Sequence, residues 1–210
     1  MSLGRRVHVD PRQRSGQTKR ERSRNALVNA AITVFAERGW HGSRLEDIAR
    51  AAGVSVPTAY NHFPGGKQEL MGVAYAPLIE PFFEAVEAAI TTLRDPLKAI
   101  TQLIHQMCTI MRAHQALTAA LVSAVSDQTA RVGAPTDPGD VRNLVPTTAP
   151  LIQLIQYGQD LDIFNTQLDA KEVGAYHGNG LLLRLLTRPN ETAEETAGFV
   201  LSQMLPALGI

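Results

Sequence analysis

The 210-residue chain is long enough to bury a core and to hold one domain or a small module joined to a larger one. No apolar run reaches the ~20 residues that span a bilayer. The basic start MSLGRRVHVDPRQRSGQ has no apolar stretch after it, and the one cysteine, Cys108, excludes an intramolecular disulfide, so a reducing cytoplasm is the expected location. The zero formal net charge hides an asymmetry: residues 1–67 carry twelve Lys/Arg and five Asp/Glu (+7), and residues 68–210 carry eight and fifteen (−7). This pattern points to a polyanion-binding segment joined to something else, with a basic disordered tail as the alternative.

Up to Gln17 the chain is polar, basic and broken by Pro11 and Gly16, so residues 1–17 are expected to be a flexible arm. From Thr18 to Arg38, Leu27, Ala30, Ala31, Val34 and Phe35 recur at helical spacing. Gly39 is a plausible stop, with Trp40 folding back onto the core. Ser43 and Glu46 have the spacing of a capping box, opening a helix that buries Leu45, Ile48, Ala49 and Ala52. Gly53 supplies a tight turn, and Ser55 can cap a third helix with Pro57 in its first turn and Ala59 and Phe63 inward. Residues 18–66 thus read as a helix-turn-helix unit.

Residues 67–210 form a larger helical part. Its first helix, from about Lys67 to Leu93, is expected to kink or break near Pro77 and Pro81. Leu97, Ile100, Leu103, Ile104, Met107, Ile110 and Met111 form one stripe, and Leu117, Ala120, Leu121 and Ala124 the next. Residues 131–150 look like a loop with at most a short helix. Helices follow at about 150–158, 169–187 and 191–207, the last starting near Asn190. No segment reads as a strand, so the fold class is all-α.

The third helix turns Thr58, Asn61 and His62 away from its apolar side. Thr offers a hydroxyl and a methyl, Asn can pair with an adenine edge, and His can donate to a guanine acceptor. A core fragment with a polar solvent face fits the same spacing. Lys19, Arg20 and Arg22 begin the first helix, Arg44 the second and Lys67 the one after the motif. Cations there oppose the helix dipole by roughly 0.3–1 kcal/mol each, which makes sense if a phosphate backbone lies across these entrances. Ordinary surface scatter is the alternative.

The strings ALVNAAITVFAERGWHGS, SRLEDIARAA and GVSVPTAYNHFPGGKQEL resemble the N-terminal domain of the TetR family of bacterial repressors over about residues 20–75. Phe35, Gly39, Ile48-Ala49, Ala52-Gly53-Val54-Ser55, Tyr60, Phe63 and Lys67 fall in register. The resemblance implies phosphate contacts from Ser43, Arg44, Ser55, Tyr60 and Lys67, and groove contacts from Val56, Pro57, Thr58, Asn61 and His62. Two features depart from the pattern. Gly65-Gly66 lengthens the turn before Lys67 by one residue relative to many members, and Val56 is apolar, where periodicity alone would place it in the core.

The resemblance further implies that residues 67–210 bind a small ligand and dimerise through the last two helices. Gly174, Ala175 and Gly178 would allow close approach to a partner helix, with Phe199, Met204 and Leu205 completing the face; a frayed helix is the other reading of the glycines. Candidate pocket residues are Phe82, Phe83, His105, Met107, Cys108, Met111, Tyr157, Phe164 and Tyr176, with core packing as the alternative for each. Any ligand would be largely apolar. His105 and Cys108, with Met111 or His114, have metal-compatible spacing, but no CxxC or HxxxH supports a site, and neither a metal nor a cofactor is expected. The expected function is a dimeric repressor, binding a palindromic DNA operator and released from it by a small-molecule effector. The rivals are a sequence-independent architectural DNA protein and a helical enzyme; for the latter there is no catalytic motif, and Glu80, Glu84 and Glu87 read as a solvated face.

Overall fold

The computed structural model describes residues 11–132 and 139–210, with side chains over 17–130 and 139–210. Among these residues every regular element is helical: α1 (Pro11–Arg38), α2 (Leu45–Ala51), α3 (Val56–His62), α4 (Gly66–Ala88), α5 (Pro96–Ala113), α6 (Gln115–Val132), α7 (Val141–Leu144), α8 (Ala149–Asp160), α9 (Ala170–Thr187) and α10 (Ala193–Ala207).

The first three helices form a head around one small core. Leu27, Ala31, Val34 and Phe35 of α1 share it with Leu45, Ile48 and Ala49 of α2, with Ala59 of α3 and with Phe63. Trp40 folds back as expected, its ring 5.9 Å from that of Phe35. Gly53 has φ +67°, a left-handed conformation that lets α2 end and the chain reverse within a few residues.

Helix α1 begins at Pro11, not at Thr18. Proline suits a first turn, where its missing N–H has no intrahelical acceptor. Arg12, Gln13, Arg14 and Gln17 are good helix formers that outweigh the roughly 1 kcal/mol cost of Gly16. The rest of the expected arm, residues 1–10, lies outside the described residues. Lys19, Arg20 and Arg22 therefore sit two turns or more inside α1. The dipole argument, which holds only for the first turn, does not apply to them.

Helix α4 does not break at Pro77 or Pro81, running through both in a helix from Gly66 to Ala88. Leu70, Met71, Ala74, Tyr75, Ile79, Phe82 and Val86 form its buried face, whereas Pro77 is exposed and Pro81 half-buried. The carbonyls deprived of a partner thus fall away from the core, where water can satisfy them. The irregularity comes about two turns after Pro81, in a π-helical segment at Ala89–Leu93 that ends on Arg94 with φ 51°.

Helix α5 is the centre of the second part, packing against α4, α8, α9 and α10. Asp95 and Asp169 cap α5 and α9 through their side chains. Helix α10 starts at Ala193, close to Asn190, where Thr192 is its N-cap and forms a reciprocal capping box with Glu195. Head and body meet where α1 and α4 touch α6. There Trp40 Nε1 donates to Asp127 Oδ2 at 3.4 Å and Gln68 Nε2 to Gln128 Oε1 at 2.6 Å.

The expected dimer residues need correction. A Cβ on Gly174 would lie 2.6 Å from Ile152 Cγ1, and one on Gly178 would lie 2.8 Å from Thr148 Cγ2. These glycines therefore admit α8 of the same chain, and no partner is needed to explain them. Met204 is fully buried, while Ala175 and Leu205 are half-buried. The outward stripe is instead Tyr176, Gly180 and Leu183 on α9, beside Gly198 and Phe199 on α10. Tyr176 is 76% exposed and Leu183 60%, and nothing lies within 4 Å of a Cβ on either of these two glycines. Arg184, held by Glu191 through two hydrogen bonds, lies over the Phe199 ring at 3.7 Å.

Candidate nucleic-acid interface

Helix α3 is held from both ends. Ser55 caps it as expected, accepting from the Thr58 N–H at 3.3 Å, and Phe63 anchors its last turn in the head core. Ala59 is buried, which turns Pro57, Tyr60 and Asn61 fully outward and leaves Thr58 and His62 half-exposed. The Thr58 hydroxyl sits 2.7 Å from Ser55 Oγ, so its methyl is the part left unengaged. Val56 is half-buried and packed on the core, as its periodicity implied.

His62 shows how the electrostatics are built. Its desolvation, followed by the charges of Arg20 and Arg24, lowers its pKa below the usual value and so favours the neutral imidazole, which has one donor and one acceptor. The Arg24 guanidinium lies 5.2 Å from the centre of the neighbouring Phe63 ring. Between α1 and α3 runs an open groove of about 390 Å³, lined by Lys19, Arg20, Ser23, Thr58, Asn61 and His62. Its α1 wall escaped the sequence reading, although extending the Leu27 face backwards by helical spacing would have found Ser23, Arg20 and Lys19.

The expected phosphate contacts divide. Arg44 at the start of α2 and Tyr60 on α3 are exposed, and Ser55 is exposed but engaged in its cap. Ser43 is buried, its hydroxyl donating to the carbonyls of Gly39 at 2.6 Å and Val34 at 3.3 Å. It therefore neither caps α2 nor offers its side chain to a phosphate. Lys67 points into the head: its ammonium donates to the carbonyl oxygens of Trp40 at 2.8 Å and Ser43 at 3.1 Å, against the Trp40 ring. Its placement is that of a cation closing the α1–α2 loop. Gly65, in the lengthened turn, donates its N–H to Glu69 Oε2 at 2.9 Å.

The pocket candidates also separate. Phe82, Met107, Cys108 and Met111 are fully buried together, with Phe83 packed at their edge. Tyr176 is exposed, Tyr157 half-buried, and His105 faces outward to Glu194 at 3.1 Å, so none of the three lines an interior site. Phe164 fills the space over Gly158 in the α8–α9 connection. His105 and Cys108 do not converge on a common point for a metal; burial pushes the Cys108 thiol up to about 12. Periodicity missed the polar pair of this core. Thr118 Oγ1 donates to the Met111 carbonyl at 3.2 Å, so the Tyr75 hydroxyl, 2.8 Å away, must be the donor to Thr118.

The family described as "Bacterial regulatory proteins, tetR family" matches residues 27–73. The HTH-type transcriptional activator FasR of Mycolicibacterium smegmatis is 34% identical over 83 residues, which are 40% of this chain and 37% of that protein. The chain spans less than half the length of the curated relatives FasR, LmrA and CymR, namely 37%, 45% and 47%. Thermus thermophilus FadR, a TetR-family repressor solved with lauroyl-CoA, shares the fold at TM-score 0.65 and 17% identity, over 88% of this chain and 92% of that one. RolR, solved with resorcinol, does so at 0.63 and 16%, over 92% and 91%.

Proposed function

We propose that this chain, which belongs through its N-terminal domain to the TetR family of bacterial regulatory proteins, is a cytoplasmic, sequence-specific DNA-binding regulator and not an enzyme. The observation that carries this reading is the α2–turn–α3 unit, which presents Asn61, His62 and Thr58 outward beside Arg20 and Arg24. The alternation of base-edge partners with cations is what major-groove reading requires. The chain acts as a homodimer on a palindrome, pairing through the Tyr176–Leu183–Phe199 face, because two heads about 34 Å apart must be held in register.

The effector is small and largely apolar. Its site is the core around Phe82, Met107 and Met111, where Tyr75 and Thr118 supply the polar contact. The lauroyl-CoA and resorcinol complexes of structural neighbours support a ligand in the helical domain. Because these residues are fully buried, the ligand must favour a more open body; heads angled differently by that opening lose the operator, which is repression relieved by population shift.

The test is selection of binding sites from a random DNA library by the full-length chain, followed by sedimentation of the complex. A two-fold-symmetric consensus bound by a dimer is the expected result. Equal binding of all sequences would replace this reading with that of an architectural protein.

A further inference from the structure

We propose that α1 and α3 grip the two sides of one DNA strand, Lys19 and Arg20 holding the phosphates of the same strand whose base edges face Asn61 and His62. This rests on the DNA-reading role above and adds which strand is held, and by what.

The groove between the helices has two chemically different walls. Lys19, Arg20 and Ser23 supply two cations and a hydroxyl, and Thr58, Asn61 and His62 supply the methyl, amide and imidazole that suit base edges. A nucleic-acid strand has the same order across its width, phosphate on one side and base edge on the other. At about 390 Å³, and open to solvent along its length, the groove suits a chain passing through it. Its walls are fixed relative to each other. Residues 19, 20 and 23 continue the helical face of Leu27, which is fully buried in the head, and Arg24 stacks on Phe63 at the foot of α3.

Helix α1 projects well beyond what folding of the head requires. Among its described side chains the first buried one is Leu27, and residues 17–22 are all exposed. Arg20 and Arg24 are like charges one turn apart beside Lys19, a repulsion that a polyanion in the groove would relieve. Arg22 provides an internal control, being equally exposed but off the groove wall.

The experiment measures DNA affinity against salt for the full-length chain. It uses a duplex bearing the selected operator and an unrelated duplex of equal length. Lys19→Ala with Arg20→Ala should shallow the log–log salt slope by about two units on both duplexes, since each phosphate contact contributes about 0.9. The preference for the operator should stay within about threefold, because phosphate contacts carry little sequence information. Arg22→Ala should leave the slope within about half a unit. Single methylphosphonates should then weaken the wild type, but not the double variant, at positions on the strand whose bases Asn61→Ala no longer distinguishes.

An unchanged slope in the double variant, an equal loss with Arg22→Ala, or sensitive phosphates on the opposite strand would each overturn the grip. If the wild type bound both duplexes alike, the sequence-specific reading would fall, while the slopes on the unrelated duplex would still decide this one. Circular dichroism melts verify that the exposed substitutions leave the fold intact.

Discussion

The Lys67 ammonium lies 3.8 Å from the centre of the Trp40 ring while donating at 2.8 Å to that residue's own carbonyl oxygen. A second bond, to the Ser43 carbonyl, ties the start of α4 to the loop between α1 and α2. Lys67→Met keeps the stem and removes the charge. It should cost about 1.5–3 kcal/mol, the range for hydrogen bonds to a charged group, and lower the melting temperature by several degrees. The salt slope of DNA binding should stay within about half a unit of the wild type. A full-unit loss with unchanged stability would restore Lys67 to the phosphate contacts.

On α3 the reading and capping roles separate. Asn61 is exposed, so Asn61→Ala should weaken operator binding by about 1–3 kcal/mol and leave random DNA nearly unaffected. Ser55→Ala removes the cap on the Thr58 N–H and should cost about 1 kcal/mol of stability, weakening both DNAs through the loosened helix. Competition titrations with operator and random duplexes distinguish the two patterns.

The glycines of α9 and α10 make opposite predictions. Gly174→Ala drives a methyl to within 2.6 Å of Ile152 Cγ1 and 3.0 Å of its Cα, so it should lower the melting temperature at unchanged dimer affinity. Leu183→Arg, on the exposed stripe, should leave the monomer folded and shift sedimentation equilibrium towards monomer. A monomer from the glycine variant with full stability would return Gly174 to the interface.

Asp140 provides a pH test. The Arg142 side chain donates to its buried carboxylate through Nε at 2.9 Å and Nη2 at 2.6 Å, and these bonds hold its pKa below the ordinary value. A pKa depressed on folding gives stability that is present above the unfolded value of about 3.9 and disappears as pH falls through the folded one. Asp140→Asn should therefore destabilise the protein at pH 7 and lose that difference as pH falls below the folded value. Denaturant midpoints measured from pH 7 to pH 2.5 for both proteins should converge at the acid end.

Elements with a strong local signal were legible. The Leu27–Phe35 face, the Gly53 turn, the Ser55 cap and the α5 stripe all follow from spacing and side-chain chemistry. What spacing cannot supply is what a tertiary neighbour does to a local motif. Ser43-x-x-Glu46 and Thr192-x-x-Glu195 have the same pattern, yet only the second is a cap, because burial of Ser43 turns its hydroxyl towards the Val34 and Gly39 carbonyls. Lys67 and Gly174 misled for the same reason. Cation and glycine are types with two common uses, and the choice was made by Trp40 and Ile152, both distant in sequence. The α1 wall of the groove was hidden by Pro11 and Gly16, whose helix-breaking tendency is overridden by the residues around them.

Helix α4 is a rod with two rungs missing. Neither Pro77 nor Pro81 can donate to the carbonyl one turn before it, so bending stiffness is lowest there. Eleven residues separate Pro77 from the head end of the rod at Gly66, a lever of about 16 Å at 1.5 Å per residue. A 10° flexure at the prolines would carry the head end through an arc of about 3 Å, close to the 3.4 Å rise of one base pair. Such a bend would shift a head by most of one step of the duplex.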